Sequence, residues 1–280
     1  MKRIESVVLF YNSKRRKAES FTGDVERTLK RRGVRVSRVC VNERNCEFER
    51  ADAAITIGGD GTVLYAARHA VRRGMPVLGV NAGGLGFLSG LERADFKKHI
   101  DTFLRGGFTG VGRRLLSAEV LRGGKKVFGP YPALNDCVIR SAESRAFALR
   151  AFFGRKPLSE YFGDGLIIST PSGSTAYSLA ALGPIVLPDL EVFLLSPVCP
   201  HTLTHRPIVL SSREDITIIP KGRSGCSCAV SLSMDGQESF QLEPCDRIRI
   251  RRYPRRFEML MPPGFSYFDV LRRKLRWGKR

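Results

Sequence analysis

Gly58-Gly59-Asp60-Gly61-Thr62 sets one carboxylate inside a run of glycines. Glycines let a backbone approach phosphate oxygens closely, and a helix opening just after them presents its positive end to the same anion. A carboxylate in that setting is costly unless it handles a proton or a metal. No Gly-Lys-Ser/Thr follows, so this is not a Walker loop. The plain structural alternative is a tight strand-to-helix turn with an Asp near the cap. Asn81-Ala82-Gly83-Gly84-Leu85-Gly86-Phe87-Leu88 is a second glycine-rich stretch that also follows a strand-like run. The third stretch runs from Gly163-Asp164-Gly165 through Ser169-Thr170-Pro171-Ser172-Gly173-Ser174-Thr175-Ala176-Tyr177. Its hydroxyls and small residues suit a lining for ribose, phosphate and amide groups, or else Ser174 or Thr175 caps the helix that starts there. It lacks the Gly-x-Ser-x-Gly elbow of a nucleophilic serine. His69, His99, His201 and His205 read as structural hydrogen-bonding groups.

The elements that must position these groups alternate in the first third. Val7–Tyr11, Val34–Val41, Ala53–Ile57 and Val77–Val80 read as strands. Helices are expected over Lys17–Arg31 (stopped by Gly33), Val63–Arg72 (stopped by Gly74) and Ala94–Leu104. That alternation predicts an α/β domain with a Rossmann-like parallel sheet, whose carboxyl edge is where ligands bind. Near Gly112 the pattern changes to short strand-like runs divided by turn signals such as Gly123-Gly124 and Asp235-Gly236. This predicts a β-rich, sandwich-like second domain. The tail turns helical again, with Phe268, Val270, Leu271 and Leu275 as its apolar stripe, and is expected to return to the first domain. The expected boundaries are 1–112 plus 265–280 for the α/β domain and 113–264 for the β-rich one.

The chain has 280 residues with 47 Lys and Arg against 27 Asp and Glu, a formal charge of +20. Hydrophobic residues make up 42%, a globular composition rather than a disordered one. No apolar run reaches the roughly 18 residues of a membrane span. Met1-Lys2-Arg3-Ile4 leads straight into a strand without an apolar signal region, so a cytoplasmic location is expected. Seven scattered Cys without a CxxC pair argue for reduced thiols rather than a zinc site. The positive charge attracts anions, but the basic runs carry no RRM, zinc-finger or helix-turn-helix pattern. Neither a specific nucleic-acid partner nor a membrane is therefore expected.

Gly58–Thr62, Asn81–Leu88, Asn135-Asp136, Asp164–Tyr177, Pro200-His201-Thr202-Leu203, Arg206-Pro207-Ile208-Val209, Asp235-Gly236-Gln237 and Phe268-Asp269-Val270-Leu271 together resemble the NAD kinases, in the order and near the spacing of bacterial members. Diacylglycerol, sphingosine and phosphofructo-kinases share the GGDG element, but the STPSGSTAY stretch is far more specific. The resemblance implies an enzyme that transfers the γ-phosphoryl group of ATP to the 2′-hydroxyl of the adenosine ribose of NAD, giving NADP. Family members use ATP or polyphosphate, and the residues of this sequence do not choose between the two donors.

Site roles follow from the same resemblance. Asp60 is implied as the base for the ribose hydroxyl, and Asn135 as a contact to adenine or ribose, with Asp136 in the same pocket. Ser172, Thr175, Ala176 and Tyr177 are implied to line the NAD pocket, with Asp164 near the nicotinamide end. Gly58, Gly59, Gly61, Thr62, Asn81, Gly84 and Phe87 belong to the two loops expected to hold substrate. No dedicated metal ligands are expected. Mg²⁺ or another divalent ion would arrive on the ATP phosphates. The resemblance also implies a homodimer or homotetramer. Three positions depart from the family pattern: Asp136 where Glu is common, Leu182 where a second Gly is common, and Phe162 where some members carry Arg. Two rivals are a lipid or sugar kinase, which would lack the polar lining, and a non-catalytic binder, which has no use for Asp60.

Overall fold

A computed structural model describes residues 2–43, 47–82, 86–141, 146–202, 204–221 and 229–276. The chain divides into two compact units, Met1–Gly112 with Phe257–Arg280 and Arg113–Arg256. The first begins with β1 (Ser6–Tyr11), α1 (Arg16–Lys30), β2 (Arg35–Cys40), β3 (Ala53–Gly58), α2 (Asp60–Arg73), β4 (Val77–Asn81), the short β5 (Leu91–Glu92), α3 (Phe96–Leu104) and β6 (Thr109–Arg113). β1 pairs in parallel with β2 and β3, and β3 with β4. β3 is buried along its whole length and is apolar but for Thr56, as a parallel strand covered on both faces should be. Leu9, Ile55, Ile57, Leu78 and Val80 pack with Phe21, Val25 and Leu29 of α1 and Phe96, Ile100 and Phe103 of α3. Gly74 ends α2 at φ +62°, a left-handed cap that glycine adopts without strain.

The second unit holds β7 (Leu116–Arg122), β8 (Lys125–Ala133), β9 (Asp136–Ser141), β10 (Phe147–Phe153), β11 (Lys156–Gly163), β12 (Gly165–Ser169), the short α4 (Tyr177–Ala180), β13 (Val192–Val198), β14 (Ile208–Ser211), β15 (Ile216–Lys221), β16 (Val230–Met234), β17 (Glu238–Leu242) and β18 (Arg247–Arg252). They form two six-stranded antiparallel sheets, ordered β11-β10-β15-β18-β7-β8 and β14-β13-β12-β9-β16-β17. One core joins the sheets: Leu116, Val120, Leu149, Ile218 and Ile250 from the first meet Ile139, Leu166, Ile168, Leu195 and Leu232 from the second. Alternation of buried and open positions along β15, β16 and β18 gives each strand one core face.

The chain then returns to the first unit as β19 (Phe257–Met261) and α5 (Tyr267–Leu275). The first sheet is ordered β2-β1-β3-β4-β19-β6, with β5 paired to β4. This moves the expected boundary: residues 257–261 lie in the parallel sheet and not in the β-rich unit, because Met259 registers with Val77 of β4. The α5 stripe also differs from the expected one. Val270 and Leu271 are buried, but Phe268 is 46% exposed. The side chain of Lys274, one turn beyond Val270, keeps only 9% exposure.

Candidate active site

Within the first unit, Gly58 closes β3 and Gly59 is the extended N-cap residue of α2. A β-carbon at Gly58 would stand 2.4 Å from Oγ1 of Thr62, so the turn needs glycine there. Asp60 occupies the first turn, but its carboxylate does not cap the helix. It accepts the backbone N–H of Phe87 at 2.8 Å and that of Leu88 at 3.1 Å. The Asp is thus committed to the neighbouring loop after β4. Burial raises its pKa above the ordinary carboxylate value, against the two N–H donors and the positive charge of Lys274, which pull the other way.

Asn81 ends β4, buried, and its side-chain amide donates to Oε2 of Glu92 at 3.0 Å. Oε1 of Glu92 lies 3.9 Å from Nζ of Lys274. Asn81, Glu92 and Lys274 therefore form a polar chain from three separate elements. Thr62 is buried, Gly61 is exposed and Phe87 is half-buried. Gly84 lies outside the described residues. At the carboxyl ends of β3 and β4 a cavity of about 310 Å³ is lined by Arg15, Arg16, Lys17, Ala18, Gly58 and Ala82. Its three cations stand at the start of α1, so side-chain charge and helix polarity have the same sign there.

The second unit gathers its own group. Asn135 and Asp136 are buried at the start of β9. Asp235, from the turn joining β16 to β17, accepts three successive backbone N–H groups: Leu134 at 2.8 Å, Asn135 at 2.8 Å and Asp136 at 3.0 Å. Asp235 and Gly236 both have positive φ, as a tight hairpin turn requires. On the other side of the segment, Thr170 donates its N–H to the Asn135 carbonyl at 2.8 Å and its hydroxyl to the Leu134 carbonyl, and its Oγ1 accepts the Gly173 N–H at 3.1 Å. A β-carbon at Gly173 would stand 2.1 Å from the Asn135 carbonyl oxygen. Burial, and then the charge of Asp235, push the Asp136 carboxyl up to about 7. Two buried polar atoms here have no protein partner, Oδ1 of Asn135 and Oγ of Ser172.

The serine-threonine stretch forms a short 3₁₀ turn, Ser172–Thr175, followed by α4. Neither Ser174 nor Thr175 caps that helix; its N-cap is Ala176, without a side-chain bond. Ser174 instead bonds the Pro171 carbonyl at 2.7 Å and accepts the Val186 N–H at 3.1 Å, a structural tie. Thr175 donates to the Ser172 carbonyl at 3.3 Å. Ala176 is half-buried and Tyr177 exposed. Leu182 has φ +61°, a left-handed backbone that glycine adopts without strain, and is 88% exposed. Asp164 is exposed between β11 and β12, and its side chain takes a hydrogen bond from the Cys199 thiol, which raises that thiol's pKa. His201 meets the Phe162 ring edge-on, and His205 lies 3.3 Å from the Ser159 hydroxyl.

Among the described residues, no group of three or more His, Cys, Asp or Glu is arranged to hold a metal ion. Among them, too, no helix is long and apolar enough to cross a membrane. Asp235 stands in a quoted motif, yet nothing in its sequence neighbourhood ties it to Asn135. Glu92 and Lys274 carry no sequence signal beyond helix and strand placement, and Arg15–Lys17 read only as a basic run.

Comparison with known proteins bears on all of this. The family described as "ATP-NAD kinase N-terminal domain" matches residues 36–108, and "ATP-NAD kinase C-terminal domain" matches residues 135–261. The chain is 44% identical over 233 residues to an NAD kinase of Geobacter metallireducens, covering 82% of this chain and 80% of that protein. It is 40% identical over 225 residues to one of Symbiobacterium thermophilum, with 80% and 78% covered. Among solved structures it resembles the fold of yeast NADH kinase complexed with NADH, at a TM-score of 0.87, 22% identity and coverage of 100% of this chain and 89% of that one. It likewise resembles an Archaeoglobus fulgidus NAD kinase in complex with ATP, at a TM-score of 0.80, 24% identity and coverage of 97% and 98%.

Proposed function

This chain belongs to the ATP-NAD kinase family, and from that membership we propose that it transfers the γ-phosphoryl group of ATP to the 2′-hydroxyl of the adenosine ribose of NAD, giving NADP. The observation that carries the mechanism is the half-buried carboxylate of Asp60, set in a glycine turn and held by two backbone N–H groups. A ribose hydroxyl attacks poorly until its proton is drawn off, and a base of raised pKa draws it off more readily. In this reading Asp60 accepts that proton as the bond from O2′ to the γ-phosphorus forms. The bond from that phosphorus to the bridging oxygen breaks, and its electrons leave with ADP.

The remaining roles follow from chemistry and position. The cations Arg15, Arg16 and Lys17 suit the donor phosphates, with Gly58, Gly59, Gly61 and Thr62 shaping the turn beside them. Phe87 belongs to the loop that meets Asp60, and Gly84 is assigned to substrate from its place in the glycine-rich stretch of the sequence alone. Asn81 acts from behind it, since its amide is engaged by Glu92. Asn135 and Ser172, with buried unpartnered oxygens, take donors of NAD, and Asp136, Thr175, Ala176 and Tyr177 complete that pocket. Asp164 is assigned to the nicotinamide end. Mg²⁺, or another divalent ion, would enter on the ATP phosphates and neutralise charge there.

We further infer a cytoplasmic homodimer or homotetramer with no specific nucleic-acid or membrane partner. The β-rich unit supports self-association, because it exposes Leu182, Leu187, Leu190, Ile208 and Val209. The +20 charge then serves anion capture in general. Purified protein given NAD and MgATP should form NADP, read by an NADP-specific dehydrogenase. Phosphorylation of a lipid or sugar instead, with no NADP formed, would refute the assignment. A fully active monomer in light scattering would refute the oligomer.

A further inference from the structure

We propose that Asp235 is the positioning residue for adenine recognition: its carboxylate, opposite Thr170, fixes segment 134–136 so that the Asn135 side-chain amide faces the base. The proposal rests on the reading of Asn135 as an NAD contact. Three successive N–H groups converging on one carboxylate leave that segment no freedom to rotate. Thr170 holds the Leu134 and Asn135 carbonyls, the Asp136 carbonyl accepts the backbone N–H of Asp235, and Gly173 lies so close that any side chain there would collide with the Asn135 carbonyl. All the backbone polarity of this stretch is thereby satisfied from within, while Oδ1 of Asn135 is left without a partner.

A buried, unpaired acceptor is unfavourable until a donor arrives. A side-chain amide matches adenine in a specific way. Its oxygen accepts from the 6-amino group and its nitrogen donates to N7. The 6-oxo analogue, with hypoxanthine in place of adenine, presents an acceptor where Asn135 needs a donor. A site built around such a hydrogen bond rejects the mismatched analogue far more strongly than an apolar site would. Rejection requires that the amide cannot simply turn aside, and the Asp235 clamp supplies that rigidity.

The test is the ratio of KM for nicotinamide hypoxanthine dinucleotide to KM for NAD, with MgATP saturating. The parent enzyme should show a ratio of about tenfold or more. Asp235→Asn preserves side-chain size and tolerates the left-handed backbone, but it loses one acceptor oxygen and points an N–H₂ at the backbone donors. It should pull the ratio toward one, raising KM for NAD more than it lowers kcat. Thr170→Val removes the opposing hydroxyl and should act in the same direction, and it decides the matter if Asp235→Asn does not fold. A purely structural role would raise both KM values together, and a folded variant that keeps the parent ratio overturns the proposal. Asn135→Ala serves as the reference. If it collapses the ratio while Asp235→Asn and Thr170→Val do not, the clamp is wrong and the reading of Asn135 stands. If it leaves the ratio unchanged, the reading of Asn135 itself fails.

Discussion

A β-carbon at Gly86 would stand 2.5 Å from Oδ1 of Asp60. The carboxylate fills the space that a side chain at position 86 would occupy, and from there it takes the N–H groups of Phe87 and Leu88. The loop after β4 and the turn after β3 are therefore fitted to one another through a single side chain.

Gly86→Ala should accordingly damage catalysis more than stability. The backbone at Gly86 is not among the left-handed glycines, so the substitution acts by collision and not by torsional strain. The carboxylate must move, and a small misplacement of a catalytic group costs on the order of 10²-fold in rate. Steady-state kcat together with a melting temperature checks this. A folded variant with parental kcat would show that Asp60 need not stand where it does.

Lys274 should set the acid limb of the pH–rate profile. Burial raises the Asp60 pKa, while the Phe87 and Leu88 N–H groups and the Lys274 charge oppose the rise. Lys274 also lies 3.9 Å from Glu92, so its removal leaves two carboxylates with less compensation. As pH falls through the Asp60 pKa the base is protonated and kcat declines. Lys274→Met raises that pKa further, so the decline should begin at higher pH, whereas Lys274→Arg should keep the limb near its parental place. An unmoved limb in a folded Lys274→Met variant contradicts this.

Asp136 should lower the stability of the fold as pH rises. Its folded pKa of about 7 stands above the ordinary carboxylate value, because of burial and then of Asp235. The folded state therefore holds a proton that the unfolded chain releases, and stability falls between the unfolded pKa and about pH 7. Asp136→Asn removes that loss, with a gain on the order of 1–3 kcal/mol above neutral pH that shrinks toward pH 4. Melting curves of parent and variant across that range provide the check. A pH-independent difference would mean that Asp136 does not titrate as described.

Much of this was legible from local pattern. Parallel strands buried on both faces, such as Ala53–Gly58, announce themselves as apolar runs, and Gly58–Thr62 gives away its turn through composition. What sequence could not reveal depends on pairings across long separations. Asp235 meets Asn135 from about a hundred positions away, because β16 lies beside β9 in one antiparallel sheet. Residues 257–261 read as another short strand after many others, and only the parallel register with β4 assigns them to the first unit. In α5 the expected stripe of Phe268, Val270, Leu271 and Leu275 holds at Val270 and Leu271, but Phe268 is exposed and the Lys274 side chain is largely covered, so a cation beside Glu92 reads in sequence as a solvated one.

The most direct measurement is the turnover of Asp60→Asn in NADP formation from NAD and MgATP, with NAD affinity and melting temperature measured on the same sample. Asn keeps the shape and cannot serve as the base, and losing general-base catalysis typically costs about 10²–10⁴ in rate. Each carboxylate oxygen accepts one backbone N–H, so Asn turns its N–H₂ toward one of those donors, and that loss opposes the relief of no longer burying a charge. The melting temperature is measured to show that the variant is folded. The account predicts a folded protein that still binds NAD and has lost its turnover. A folded Asp60→Asn variant that makes NADP at close to the parental rate would contradict it.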